Sequence, residues 1–181
     1  MLSDLQRRKW IARFNLLDAD KNGYIEKADY DLMIARFAKS FNSLPSSESY
    51  QRLVKLYDLN WKALASKADA NKDGRVSRDE YLASVEADFM RGGAFERLSV
   101  PMGEEFFKMM DVNGDGVVSS DECVRFFVSM GLKESDAKET FRRLDRNGNG
   151  ELTKAEVFQA AKEFYTGDDP NAPGNWSYGP F

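Results

Sequence analysis

The chain has 181 residues, 42% hydrophobic and 13% aromatic, enough to fill one domain or two small lobes. A net charge of −4 speaks against a nucleic-acid partner, the absence of histidine excludes His-based acid–base or nucleophile chemistry and His-ligated zinc, and the lone cysteine, Cys123, leaves no intrachain disulfide and no Cys-rich metal site. No run of about 18 apolar residues occurs, the N-terminus carries no apolar leader and the chain does not open Met-Gly, so the expectation is a cytoplasmic, reducing setting without membrane span, signal peptide or myristoyl anchor.

Residues 3 to 17 read as a first helix. Ser3 and Gln6 form a capping box, and Trp10, Phe14 and Leu17 fall on one face. Arg7, Arg8, Lys9 and Arg13 read as a solvated basic face rather than a lipid contact. The segment Asp18–Asp29, DADKNGYIEKAD, then sets oxygen-bearing side chains at its first, third and fifth places (Asp18, Asp20, Asn22), a glycine at the sixth, a backbone carbonyl at the seventh (Tyr24), Glu26 at the ninth and Asp29 at the twelfth. That spacing wraps one cation in oxygen ligands. A helix with Met33, Phe37 and Phe41 on one stripe follows, and residues 43–47 (SLPSS) read as a linker.

A long helix over roughly Glu48 to Ala68 presents Leu53, Leu56, Tyr57, Leu64 and Ala68 at helical spacing. It leads into a second loop, DANKDGRVSRDE, with candidate ligands Asp69, Asn71, Asp73, the Arg75 carbonyl, Ser77 and Glu80. Tyr81, Val85 and Phe89 continue the apolar side of its exit helix, and Arg91-Gly92-Gly93 reads as a helix stop and the boundary between two lobes. Ser99-Val100-Pro101 starts a helix carrying Phe106, Phe107 and Met110. The third loop, DVNGDGVVSSDE, offers Asp111, Asn113, Asp115, the Val117 carbonyl, Ser119 and Glu122. Cys123, Phe127 and Met130 follow on one stripe, so Cys123 reads as a small buried apolar residue. Gly131 caps that helix, and the next, from near Glu134, presents Ala137, Phe141 and Leu144. The fourth loop, DRNGNGELTKAE, offers Asp145, Asn147, Asn149, the Glu151 carbonyl, Thr153 and Glu156, and Val157, Ala161 and Phe164 mark the last helix. The tail is broken by Pro170, Pro173, Gly174 and Pro180, yet carries Trp176, Tyr178 and Phe181. It is expected to fold back and bury them.

Four repeats of this ligand spacing, each between helical patterns, are EF-hand calcium loops. The predicted fold is all-α: two pairs of hands packed into one unit, with short β-ribbons joining Ile25 to Val76 and Val118 to Leu152 at the eighth places. Residues 1–91 form the N-terminal pair; residues 92–181 form the C-terminal pair, with the tail 166–181 packing back. In loops two to four, the hydroxyl at the ninth place and the Glu three later also form a capping box, which couples metal binding to helix formation. Asp29 is one methylene shorter than Glu. A two-oxygen grip on calcium would draw its helix inward, whereas a one-oxygen grip suits six-coordinate Mg²⁺. By carboxylate count, loops two and three should bind calcium most tightly, loop four less so, and loop one should tolerate magnesium best.

The whole chain resembles the sarcoplasmic calcium-binding proteins and their calerythrin-like relatives. The resemblance rests on LSDLQRRKW just before the first loop, on the uneven spacing of Asp18, Asp69, Asp111 and Asp145, and on the ending Tyr178-Gly179-Pro180-Phe181. It implies a compact helical protein that buffers cytosolic Ca²⁺ and Mg²⁺, with no obligate protein partner and no membrane, as a monomer. Such proteins commonly carry a degenerate loop; here all four are competent apart from the short Asp29. Two other functions fit the motif: a sensor that opens a groove for a target helix, and a carrier of an apolar ligand or chromophore of the luciferin-binding type. The 7 methionines fall mostly singly on apolar stripes, as in a packed core. An enzyme is not expected, because the clearest acidic clusters are assigned to metal.

Overall fold

The computed structural model describes residues 2–42, 44–88, 95 and 99–181. Phe89, the Arg91-Gly92-Gly93 boundary and Ser43 lie outside the described residues. The helices are α1 (Asp4–Leu17), α2 (Lys27–Ser40), α3 (Glu48–Ala68), α4 (Arg78–Asp88), α5 (Val100–Met110), α6 (Ser120–Ser129), α7 (Glu134–Leu144) and α8 (Lys154–Thr166). Short strands β1 (Tyr24–Ile25), β2 (Val76–Ser77), β3 (Val117–Ser119) and β4 (Glu151–Thr153) lie between them.

The ribbons form in the expected register, antiparallel, with Ile25 opposite Val76 and Val118 opposite Leu152. All four of these side chains are buried, so each ribbon joins two loops and drives an apolar pair into the core. The helix ends follow their local chemistry. Ser3 Oγ accepts from Gln6 N and Gln6 Oε1 from Ser3 N, both at 3.1 Å, which starts α1. Ser47 Oγ accepts from Tyr50 N to start α3. After α6 the chain turns at Gly131, whose φ of +106° favours glycine, and Leu132 N donates back to Phe127 O.

The two pairs of hands face each other. Helix α1 packs on α4 and α8, α2 on α3 and α6, and α3 on α5. Aromatic rings bridge the halves at edge-to-face distances: Phe37 to Phe126 at 6.4 Å, Tyr57 to Phe106 at 5.9 Å and Trp10 to Phe164 at 6.3 Å. Among the predicted apolar stripes, Phe41, Leu64, Phe106, Val157 and Ala161 are only half-buried.

Two expectations are corrected. The basic cluster of α1 is not one solvated face. Arg7 and Arg8 are exposed, but Lys9 has 0% exposure and Arg13 is half-buried. Lys9 Nζ donates to Glu163 O at 2.8 Å, to Gly167 O at 2.7 Å and to Asn175 Oδ1 at 3.1 Å. It thus ties the last carbonyls of α8 to the tail, where a cation is favoured. The tail does fold back, forming a 3₁₀ turn over Pro173–Trp176 against α7 and α8, but its aromatics are not all buried. Trp176 and Tyr178 are half-buried and Phe181 is 38% exposed. The fully buried tail residues are Gly174, Asn175, Ser177 and Gly179. Here the backbone makes the close contact: a Cβ at Gly174 would meet Ala160 O at 2.3 Å. The tail proper begins at Gly167, since Thr166 is still helical.

Candidate metal centres

Each loop is built around its first aspartate, which also ends the incoming helix. The backbone N–H groups of Asp18, Asp69, Asp111 and Asp145 close the last helical bonds, at 2.9, 3.1, 2.9 and 2.9 Å. Their ψ angles of 78°, 82°, 83° and 85° then turn the chain out of the helix. One carboxylate oxygen of this residue accepts the N–H of the fifth place and the other that of the sixth. In loop one these are Asn22 and Gly23, both at 3.0 Å; in loop three, Asp115 at 3.1 Å and Gly116 at 3.0 Å. Asp69 does the same for Asp73 and Gly74, and Asp145 for Asn149 and Gly150. The sixth-place glycines all have positive φ, 81° to 90°.

The third-place side chains, Asp20, Asn71, Asn113 and Asn147, each accept the N–H of the fifth place through Oδ1. The fifth-place side chains Asn22, Asp73, Asp115 and Asn149 accept the N–H of the seventh, from Tyr24, Arg75, Val117 and Glu151. The loop's donors are thereby drawn to its wall, and the oxygens are held facing one another.

The twelfth place closes each loop. Glu80 Oε2 accepts from Ser77 N at 2.9 Å and Ser77 Oγ at 2.7 Å, while Ser77 Oγ accepts from Glu80 N at 3.3 Å. Ser119 with Glu122 and Thr153 with Glu156 repeat this box and begin α6 and α8. The other oxygen of each Glu reaches across to the start of its loop, to Ala70 N, Val112 N and Arg146 N at 3.3, 2.9 and 3.2 Å. Backbone and hydroxyl bonds from Ser77 bring the Glu80 carboxyl below its ordinary range. Burial works against the same effect in Glu122 and Glu156, but the bonds from Ser119 and Thr153 still lower both.

Loop one is built differently. Asp29 is fully buried, its Oδ1 accepting from Ala19 N at 2.8 Å and Asp20 N at 3.1 Å and its Oδ2 from Glu26 N at 2.8 Å. Burial raises its pKa, and these three N–H groups partly offset the rise. The shorter side chain nonetheless meets the other acids: one ligand oxygen each from Asp18, Asp20 and Asp29 lies within 4.8 Å of the others. Oxygens on opposite sides of one ion are separated by about twice the 2.0–2.6 Å bond length, so this spacing fits a single hard cation. Among the described residues no other His/Cys/Asp/Glu group converges so closely. Glu26 faces inward enough to take a 3.4 Å bond from Asn22 Nδ2.

A feature not read from the sequence is the fourth place, which is left-handed in every loop. Lys21 (φ 65°) and Lys72 (φ 60°) hold it in loops one and two, Gly114 and Gly148 in loops three and four. Lysine there is strained by ~1–2 kcal/mol, which glycine avoids. The glycine at this place in the second pair was the available signal.

The EF-hand domain pair family matches residues 7–86, and the EF hand family matches residues 104–127 and 137–157. The sarcoplasmic calcium-binding protein of Scylla paramamosain is 31% identical over 143 residues, 72% of this chain and 70% of its own. Calerythrin of Saccharopolyspora erythraea is 29% identical over 157 residues, 86% of this chain and 89% of its own. The solved structure of an amphioxus sarcoplasmic calcium-binding protein superposes with a TM-score of 0.77 at 26% identity, covering 100% of both chains.

Proposed function

Because this chain belongs to the sarcoplasmic calcium-binding protein family of EF-hand proteins, we propose that it is a cytoplasmic buffer of Ca²⁺ and Mg²⁺. It is a calcium-binding protein and not an enzyme. In this reading the ions occupy the four loops, held by the side chains and carbonyls described above. Loop one takes Mg²⁺ most readily, in keeping with its tight cluster of Asp18, Asp20 and Asp29. The chain acts as a monomer without an obligate protein partner.

The observation that carries the buffer reading is the core shared by the two pairs of hands. Phe37, Tyr57 and Trp10 of the first pair lie against Phe126, Phe106 and Phe164 of the second, and Lys9 and Asn175 pin the tail across α8. A sensor exposes its apolar face to a target helix when calcium arrives, whereas buffer hands barely open. Here each pair's apolar face is already occupied by the other. The experiment is to mix the calcium-loaded chain with dansyl-labelled melittin, a basic amphipathic helix, and follow the dansyl emission, because the chain has 3 tryptophans of its own. A buffer leaves melittin unbound with and without calcium. Calcium-dependent capture at micromolar concentration would replace the buffer reading with the sensor.

A further inference from the structure

Between the two pairs of hands lies a cavity of about 110 Å³, lined by residues of every helix except α4 and by the tail. Its wall is mostly apolar, which is why Val157 and Ala161 are only half-buried although they continue a core stripe. A comparable apolar cavity elsewhere, of ~150 Å³, stays dry and admits a benzene-sized molecule. This cavity has one charged lining residue, Arg13.

Arg13 has an unusual set of partners. Its Nη1 donates to Tyr81 OH at 2.7 Å and its Nε to Tyr165 OH at 3.2 Å, and the rings of Trp10, Tyr165 and Tyr178 lie 5.5 to 5.9 Å from its guanidinium carbon. Among the described residues no carboxylate forms an ion pair with it. Phenol groups and ring faces soften the cost of a half-buried cation but do not neutralise it. On the same cavity stands Tyr57, only 3% exposed, whose hydroxyl has no hydrogen-bond partner among the described residues. That oxygen is not sealed in the core, so it is open to an acceptor placed in the cavity.

We propose that the cavity is a binding site for one small amphiphilic organic anion, its carboxylate held by Arg13 and the Tyr57 hydroxyl and its apolar body among Phe106, Phe127 and Met130. The chemistry selects this class. A hydrated inorganic anion would lose its water to an apolar wall, and an uncharged hydrocarbon would leave the guanidinium without a counter-charge and the Tyr57 hydroxyl without an acceptor. A carboxylate on a short chain or single ring satisfies the cation, the hydroxyl and the apolar wall together. The site is independent of the metal loops and of the buffer reading.

The test is calorimetric titration of the full calcium-loaded chain with butanoate and, separately, with butan-1-ol, both small enough for the cavity. One butanoate is expected per chain, bound at least about tenfold more tightly than the alcohol. Arg13→Gln should bring butanoate affinity down to that of the alcohol. Tyr57→Phe keeps the ring, and should weaken butanoate about three- to tenfold. If Arg13→Gln fails to fold, Tyr57→Phe decides. Equal affinity for acid and alcohol, no uptake at high millimolar butanoate, or butanoate affinity unmoved by Tyr57→Phe would overturn the proposal.

Discussion

Lys9 holds three acceptors from a position without exposed surface, so its loss orphans Glu163 O, Gly167 O and Asn175 Oδ1 at once. Lys9→Met keeps the stem but should cost about 2–4 kcal/mol in urea unfolding of the metal-free chain. Burial pushes the Lys9 ammonium down to about 8, against the pull of Asp168 and Glu163. The folded chain therefore releases this proton before the unfolded chain does. Stability should rise as pH climbs from about 8 towards the ordinary lysine value of 10.5, on the order of 1–3 kcal/mol, and Lys9→Met should abolish that rise. A single helical stretch, RRKW, gave no sign that Lys9 is buried while Arg7 and Arg8 are not, because its partners lie more than 150 residues away. Asp29 is the other residue on which much turns. Asp29→Glu supplies the methylene needed for a two-oxygen grip and should raise the calcium-over-magnesium preference of loop one, on the order of tenfold, by competition titration. An unchanged preference would remove the side-chain-length explanation.

At the scale of the element, the hands were legible because ligand spacing, glycine position and helix caps lie within 12 consecutive residues. The ribbon partners Ile25–Val76 and Val118–Leu152 followed from loop position alone, and so did the Ser119–Glu122 and Thr153–Glu156 caps. Those caps make one residue serve both helix and metal. Ser119→Ala should cost about 1 kcal/mol in the metal-free state by weakening the start of α6. It should also shift the calcium titration of loop three, since Glu122 loses the bond that aims its carboxylate. Urea unfolding with and without calcium measures both. What the local pattern could not convey was how far the aromatic tail is buried. Composition said that Trp176, Tyr178 and Phe181 should dock; it did not say that Asn175 and Gly174 would make the closest contacts.

Over the whole molecule, the tail, α1 and α8 form one strap. Ser177 lines the central cavity, Tyr178 packs on Phe164 at 4.7 Å, and Thr140 donates to Trp176 O. Ending the chain at Asp169 removes these contacts together. The truncated protein should melt about 10 °C lower and bind a hydrophobic dye in every metal state. Fold class and pairing of hands were readable because each hand is a local unit. The contact between pairs was not, since it depends on which apolar faces meet, and Phe37–Phe126 and Tyr57–Phe106 are separated by long stretches of chain. The direct measurement is a calcium titration of the intact chain at physiological magnesium, following heat and dye fluorescence together. A core closed between the pairs should take up several ions with little or no gain in dye binding. A large dye increase as the loops fill would contradict it, because apolar surface would then open on calcium binding.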